Sequence, residues 1–537
     1  MRKMWIPLTA AVLLAVSIPT PASAGSEPIA VVSAASETAT KVVIDGLTYY
    51  LYDTYAEVGA TNKSIETADI AAEVNGVPVT TVRKQGFMMC RNLTQVTIPE
   101  GITTLETQAF ASCPLTQITL PDSLTIIQGN AFSMCTALTE LHIPAQVKTI
   151  GSCAFSDCSA LQKFTIADEN PYFSVREDVL YSKDGTTLIW YPPAKPVSSF
   201  TIPDTVETVN GFAFLDAENL KEITIPDNIQ DLGIDTFANC TALQQCTIPE
   251  CITTLGICLF FGCSSLSSVE IPDTVTAIQS SVFSECSNLT AVQLPENLTQ
   301  LGDSAFQNCI SLTEMTIPDG VTVLPNAALM GCTALQQITL PETVTKLGKS
   351  TFQNCTALET FTIPEQVTKL EDNLFTGCSS LKSIVVPASV TEIGEAVFSQ
   401  CSSLEEITIL NPNCVLFDDA ETICNALAED GSPIFSGIIS GYEGSTAQAY
   451  AEKYGLRFHS LGEVSAWETG DVNLDGMVTM ADVVILQKYL LRKQPLTLQQ
   501  GQVSDMNGDH AVQVLDLVLL KRQILKKERS QFICLES

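Results

Sequence analysis

Two clusters of oxygen-bearing side chains near the C-terminus have the types and spacing to do chemistry. Asp471, Asn473, Asp475, Thr479 and Asp482 are echoed 34 residues later by Asp505, Asn507, Asp509, Gln513 and Asp516. Calcium takes six to eight oxygens. A 12-residue loop supplies them from side chains at its first, third, fifth and twelfth positions and from a backbone carbonyl at the seventh, with an oxygen or a bound water from the ninth. The seventh positions here are Met477 and Ala511. The pattern predicts two Ca2+ ions, one per loop. Asp/Asn-rich turns without metal would use the same residue types. The metal reading is favoured because the apolar residues after each loop repeat in register at helical spacing: Val484, Leu486, Leu490 and Leu491 against Val518, Leu520, Ile524 and Leu525.

Each unit is therefore a loop followed by one helix, half of an EF-hand, and two halves must pair to bury their apolar faces. On these residues the stretch 470–527 resembles a type I dockerin, the calcium-dependent plug that binds cohesin modules of cellulosomal scaffolds. The resemblance implies that cohesin is touched by Met480, Ala481 and Lys488 from the first half, and by Val514, Leu515, Lys521 and Arg522 from the second. Met-Ala and Val-Leu differ in bulk, so one half is expected to carry the contact rather than both interchangeably. His510 stands where the sharp turn of the second loop prefers glycine, which should weaken that site.

Upstream, the chain cycles through a Phe-x-x-Cys step, a leucine, a short strand, a proline and two spaced aliphatics. Cys240, Cys263, Cys286, Cys309, Cys332, Cys355, Cys378 and Cys401 are 23 residues apart without exception. Cys90, Cys113, Cys135 and Cys158 precede them with one 22-residue step. Ala217 and Leu329 replace Cys and Phe once each. A fixed period of this length predicts a solenoid of stacked coils, and the repeat resembles the BspA-like, or treponemal, class of leucine-rich repeats. The expected fold class is thus an α/β leucine-rich-repeat solenoid with short parallel strands, plus a small all-α calcium-binding module.

The organisation read along the chain is a secretory signal peptide at 1–24, a disordered linker at 25–40, an N-terminal cap at 41–86, repeats over 87–410, a C-terminal cap at 411–461, a linker at 462–469, the dockerin-like module at 470–527 and a tail at 528–537. The signal rests on Arg2-Lys3, the apolar run around Ala10–Val16 and Ala22-Ser23-Ala24. Residues 168–196 interrupt the repeat, with Asp184-Gly185 between apolar runs marking a hairpin. It is expected to project and to offer Tyr172, Phe173, Tyr181, Trp190 and Tyr191 as an exposed aromatic surface.

Twelve of the 19 cysteines lie on the ladder, where a small apolar thiol suits a tight corner, so they are expected to be buried and free rather than bridged. Cys414 with Cys424, and Cys246 with Cys251, are off-ladder pairs near enough in sequence to bridge. The outward strand column is mostly threonine, including Thr97, Thr119, Thr165, Thr201, Thr224, Thr247, Thr316, Thr339, Thr362 and Thr408. It contains no aromatic platform for sugar rings, which points to a protein ligand in preference to a glycan. Strand propensity and solubility account for the same threonines without a ligand.

A net charge of −33 excludes nucleic acid as a natural partner, since phosphate binding needs clustered Lys and Arg. No other run is long and apolar enough to span a membrane. With three histidines and no GxSxG, HExxH or glycine-rich phosphate loop, no catalytic residue is assigned. These readings combine into a secreted, non-catalytic leucine-rich-repeat binding protein, cell-surface or cellulosome associated, attached to a cohesin-bearing scaffold. The competing reading is a cellulosomal carbohydrate-binding or glycoside-hydrolysing component of polysaccharide catabolism, with its site in the hairpin or a cap.

Overall fold

The computed structural model describes residues 39–463, 469–474, 478–507 and 511–535. The stretch expected to be an export signal, most of the first linker, residues 464–468 of the second, and Asp475, Met477, Asp509 and His510 lie outside them.

Each 23-residue cycle makes one coil, because the strands of the regular repeats pair in parallel with residues one period away. Glu222–Thr224 pairs with Gln245–Thr247, and Gln245–Thr247 with Ser268–Glu270, on the front. Two-residue strands such as Thr254–Leu255 and Ala277–Ile278 form a second column. Front strands alternate exposed, buried, exposed, which places the threonine column on the outside. The back of each coil is turns. Two residues per coil take the left-handed conformation, for example Ser304 and Asn308 at φ 57° and 59°.

The Phe-x-x-Cys step works on this back. Its phenylalanines stack through the core, Phe237 on Phe260 at 5.5 Å, Phe260 on Phe283 at 5.6 Å and Phe283 on Phe306 at 5.3 Å. From Cys113 onward each ladder thiol donates to the carbonyl at the phenylalanine position of the preceding coil, as Cys263 does to Phe237 at 3.1 Å and Cys286 to Phe260 at 3.2 Å, with Leu329 taking that place for Cys355. A buried carbonyl thereby gains a partner from a side chain small enough to sit at a corner. Burial pushes the thiols of Cys135, Cys332 and Cys401 up to about 12, so they stay protonated and can donate. Threonine hydroxyls add further ties, Thr276 to the Thr253 carbonyl at 3.4 Å and Thr299 to that of Thr276 at 3.2 Å.

All 18 described cysteines are free. Cys246 is buried while Cys251 is exposed, and their thiols bond to the carbonyls of Thr247 and Ile229. Cys424 is not off the ladder: it lies 23 residues beyond Cys401 and accepts from the Gln400 amide at 3.5 Å.

The hairpin does not project. Strands Phe173–Arg176, Val179–Ser182 and Thr187–Trp190 form an antiparallel meander whose last strand joins the second column beside Thr208–Val209. Tyr181, Trp190 and Tyr191 are buried, Phe173 is half-buried, and only Tyr172 is exposed. Tyr191 stacks on Phe214 at 4.9 Å and Trp190 meets Phe155 edge-on at 5.6 Å. The aromatics fill a coil, with Tyr191-Pro192-Pro193-Ala194 as a degenerate Phe-x-x-Cys step. Large apolar rings facing two open coil ends gain more from burial than from water.

At the N-terminal end, Thr40–Ile44, Leu47–Leu51 and Ala56–Ala60 form antiparallel hairpins before the parallel stack begins at Val77–Val82. At the other end Ile438–Glu443 and Arg457–Glu463 extend the front sheet and helix α1 (Thr446–Tyr454) packs over them, its Tyr450 hydroxyl donating to the Asp419 carbonyl at 2.7 Å. Beyond lie α2 (Met480–Leu490), α3 (Leu498–Ser504) and α4 (Val514–Leu535). Among the described residues no helix is long and apolar enough to cross a membrane.

Candidate calcium loops and docking face

The C-terminal module is built around Val472, Val478, Val483, Leu486, Leu520 and Ile524. Two of these precede α2 within the first loop, so the loop is part of the core rather than an appendage. Thr479 caps α2: its hydroxyl accepts from the Ala481 amide at 3.2 Å, and Asp482 at the third helical position returns the bond to the Thr479 amide at 2.7 Å. The other Asp482 oxygen accepts from the Asn473 amide at 2.9 Å. One carboxylate thus closes the loop and starts the helix.

The second loop repeats the arrangement. Asp516 accepts from the amides of Met506 at 2.9 Å and Gln513 at 2.7 Å. Asp471, Asp482 and Asp516 are fully buried, and buried carboxylates require a compensating cation or dense hydrogen bonding. The donors of both loops are all oxygen, as calcium demands. Among the described residues no three metal-binding side chains come together, the third carboxylate of each loop, Asp475 or Asp509, lying outside them, as does the Met477 carbonyl. The loops are not equal. Asp471 is buried and Asn473 and Thr479 half-buried, whereas Asp505 is half-buried and Asn507, Ala511 and Gln513 are exposed.

Met480, Ala481 and Lys488 lie exposed on α2, and Val514, Leu515 and Arg522 on α4, with Lys521 half-buried. The sequence reasoning did not single out how far this apolar surface extends. Met480 is 56% exposed, Leu491 67%, Val514 65%, Leu515 52% and Leu525 60%. So much exposed apolar surface on so small a module is of the kind found at interaction sites.

On the solenoid, the outward column is polar. His142 shares a hydrogen bond with Thr165 at 2.9 Å, and Lys163 pairs with Glu140 at 2.6 Å. Along one edge an acidic residue follows the strand-ending proline of most coils, among them Glu100, Asp122, Asp227 and Asp273; there Glu100 accepts from the amides of Asp122 and Ser123, both at 3.0 Å, which holds its carboxyl below the usual range. Further along, ion pairs join adjacent coils: Lys349 with Asp372 at 2.7 Å, Lys369 with Glu392 at 2.8 Å and Lys382 with Glu359 at 2.7 Å. Each pair is one period apart, a signal available in the sequence.

The model of the BspA type leucine rich repeat region matches the chain in six copies over residues 63–178, 194–313 and 299–420, and that of the dockerin type I domain matches residues 469–525. Among solved structures, the chain is similar to a leucine-rich repeat protein from Eubacterium ventriosum, with 24% identity, 63% of this chain and 95% of that one covered, and a TM-score of 0.44. It is similar to a leucine rich cell surface protein from Faecalibacterium prausnitzii at 22% identity over 78% and 98% of the two chains, TM-score 0.36. A leucine-rich repeat protein from Bacteroides capillosus is 31% identical over 24% of this chain and 98% of its own, TM-score 0.22. No curated protein matches the chain.

Proposed function

The chain belongs to the BspA type leucine rich repeat family and carries a dockerin type I domain, and from that premise we propose an exported, non-catalytic binding protein that its dockerin attaches to a cohesin module of a scaffold, with two Ca2+ ions holding the plug in shape. The observation that carries the reading is the pair of exposed apolar and basic stripes, Met480, Ala481, Lys488 and Leu491 on α2 and Val514, Leu515, Arg522 and Leu525 on α4, each set next to a calcium loop. In each loop the carboxylate at the twelfth position ties the loop to the start of its helix. Calcium affinity and the shape of the docking face are therefore linked.

The solenoid presents the second surface. Its outward threonine column, with a Glu or Gln two residues earlier in many strands, as at Glu222, Gln245 and Glu314, forms a polar face without aromatic platforms, which favours a protein ligand over a glycan. The burial of Tyr181, Trp190 and Tyr191 counts against the competing carbohydrate reading where it relied on an aromatic hairpin surface.

The test is binding of the full chain to the cohesins of its own organism with calcium and with chelator. Affinity on the order of nanomolar, abolished by chelator, is expected for at least one cohesin. Lys488→Glu and Arg522→Glu should differ in effect, the engaged half losing more than about tenfold, or 1.4 kcal/mol. A calcium-loaded chain that binds none of these cohesins would overturn the scaffold-attachment reading.

A further inference from the structure

The solenoid's hydrophobic core divides into two clusters at one place among the described residues, and a titratable pair stands there. On the front, strand Lys163–Ile166 pairs with Glu140–Ile143 on one side, and the next front sheet begins at Ser199–Thr201, paired onward to Glu222–Thr224; the two sheets are not joined. Inside, the core divides at the same point. Leu180 and Trp190 pack with the N-terminal cluster, Val179, Tyr181, Leu188 and Tyr191 with the C-terminal one.

The back shows the break most clearly. In coil after coil the residue before the ladder cysteine sends its amide to a backbone carbonyl of the next coil: Met134 to Ser156 at 2.8 Å, Asp216 to Ala238 at 3.0 Å, Gly262 to Ser284 at 2.8 Å. At Asp157 the acceptor is instead the side-chain carboxyl of Asp216, at 3.0 Å and 59 residues away. The intervening coil, at Tyr191-Pro192-Pro193, is buried beneath. Asn239 donates to the other Asp216 oxygen at 3.0 Å.

We propose that this join is a proton-linked hinge between the two halves of the solenoid: with a proton on the Asp157/Asp216 pair the halves lock across the back, and with both carboxyls ionised the lock loosens. Asp157 and Glu218 face Asp216 as like charges, Asp235 and Asp157 act on the Cys153 thiol beside them, and Asp235 in turn bonds Cys258. The amide donors of Asp157 and Asn239 favour the ionised form of Asp216. Burial first, then the neighbouring Asp157 carboxyl, opposes them and wins, pushing Asp216 up to about 6; burial also pushes Asp157 up. A carboxyl whose pKa is raised in the closed join stabilises it below that pKa, and the contribution is lost as pH rises through about 6. If opening returns Asp216 to 3.8, linkage makes the open form about tenfold more populated at pH 7.5 than at pH 5.

Hydrogen exchange on the calcium-loaded full chain tests this, with each rate divided by its intrinsic rate at that pH. Protection of the Asp157 amide should fall about tenfold from pH 5 to pH 7.5, while the amides of Glu285 and Asn308, in the same column of regular coils, change little. In Asp216→Asn the fall should vanish. A wild-type fall that is absent, or that persists undiminished in the variant, overturns the proposal. Should Asp216→Asn fail to fold, Asp157→Asn is read in its place: a reduced fall is expected, and an undiminished one overturns the hinge.

Discussion

Chelating calcium should unfold the C-terminal module and leave the solenoid standing. Among the described residues the module's core cluster holds six buried apolar side chains, while Asp471, Asp482 and Asp516 are carboxylates with no exposure to water. Each such charge costs several kcal/mol when left uncompensated, which so small a core cannot offset. A site filled at 100 times its dissociation constant contributes about 2.7 kcal/mol of stability, so two sites decide whether the module folds. Circular dichroism isolates the event, because the helices of 11, 7 and 22 residues belong to the module and α1, of 9 residues, to the solenoid cap. Chelator should therefore remove about four-fifths of the helical signal, and a separate, larger thermal transition should persist. An unchanged helical signal would refute the argument that buried carboxylates make the fold calcium-dependent. Loss of the larger transition would show instead that the solenoid's acidic edge binds structural calcium.

Calcium affinity should be unequal between the loops: Asp471→Ala is expected to weaken it more than Asp505→Ala, since the first loop is the more enclosed, and equal effects in a titration would contradict this. In the native protein a thiol reagent should reach Cys251 first, the ladder thiols reacting only after denaturation, without reductant; intact mass showing fewer than about ten labelled cysteines in the denatured, unreduced chain would argue for disulfides. In the left-handed back column, Gly331 sits at φ 77° where an added Cβ would clash with the side-chain amide oxygen of Asn308. Gly331→Ala should cost about 1–3 kcal/mol, and Asn308→Ala should relieve part of it. A double-mutant cycle with coupling below about 0.5 kcal/mol would count against close stacking at that rung.

The solenoid was legible because its design is local and repeated. A coil must return to register, so Phe237, Phe260 and Phe283 announce their stacking through spacing alone, and alternation places Thr224 and Thr247 outside. The dockerin type I module was legible for a similar reason, since its two loops repeat the same oxygen-bearing residue types at the same spacing. The double duty of Asp482 was half legible, as the Thr479-x-x-Asp482 spacing is that of a capping box. What escaped is where a coil departs from the period. Asp184-Gly185 reports a turn between neighbouring strands, but nothing local says that Tyr191 takes a phenylalanine's rung, or that Ala194 stands for a ladder cysteine. The Asp157–Asp216 contact spans a longer coil and follows no period. Cys424 obeyed the period, yet Glu421 sits where phenylalanine should, and so it read as off the ladder.

Charge is divided between the two parts of the chain in a way that bears on how they work together. Residues 470–537 hold eight acidic and eight basic side chains, so the net −33 resides in the residues before them. Six of those eight acids belong to the calcium loops. With two Ca2+ ions bound the module therefore becomes cationic, through Lys488, Arg492, Lys493, Lys521 and Arg522 among others, while the solenoid remains strongly anionic. At physiological salt such fields are screened within about 8 Å, so a partner meeting the docking face experiences the module's charge rather than the solenoid's. Calcium then does two things at once in this reading: it neutralises the loop carboxylates so that α2 and α4 can pack, and it leaves the docking face positive toward an acidic partner. The anionic solenoid, for its part, should repel other copies along their long polar faces, and in this reading that keeps those faces open to a ligand.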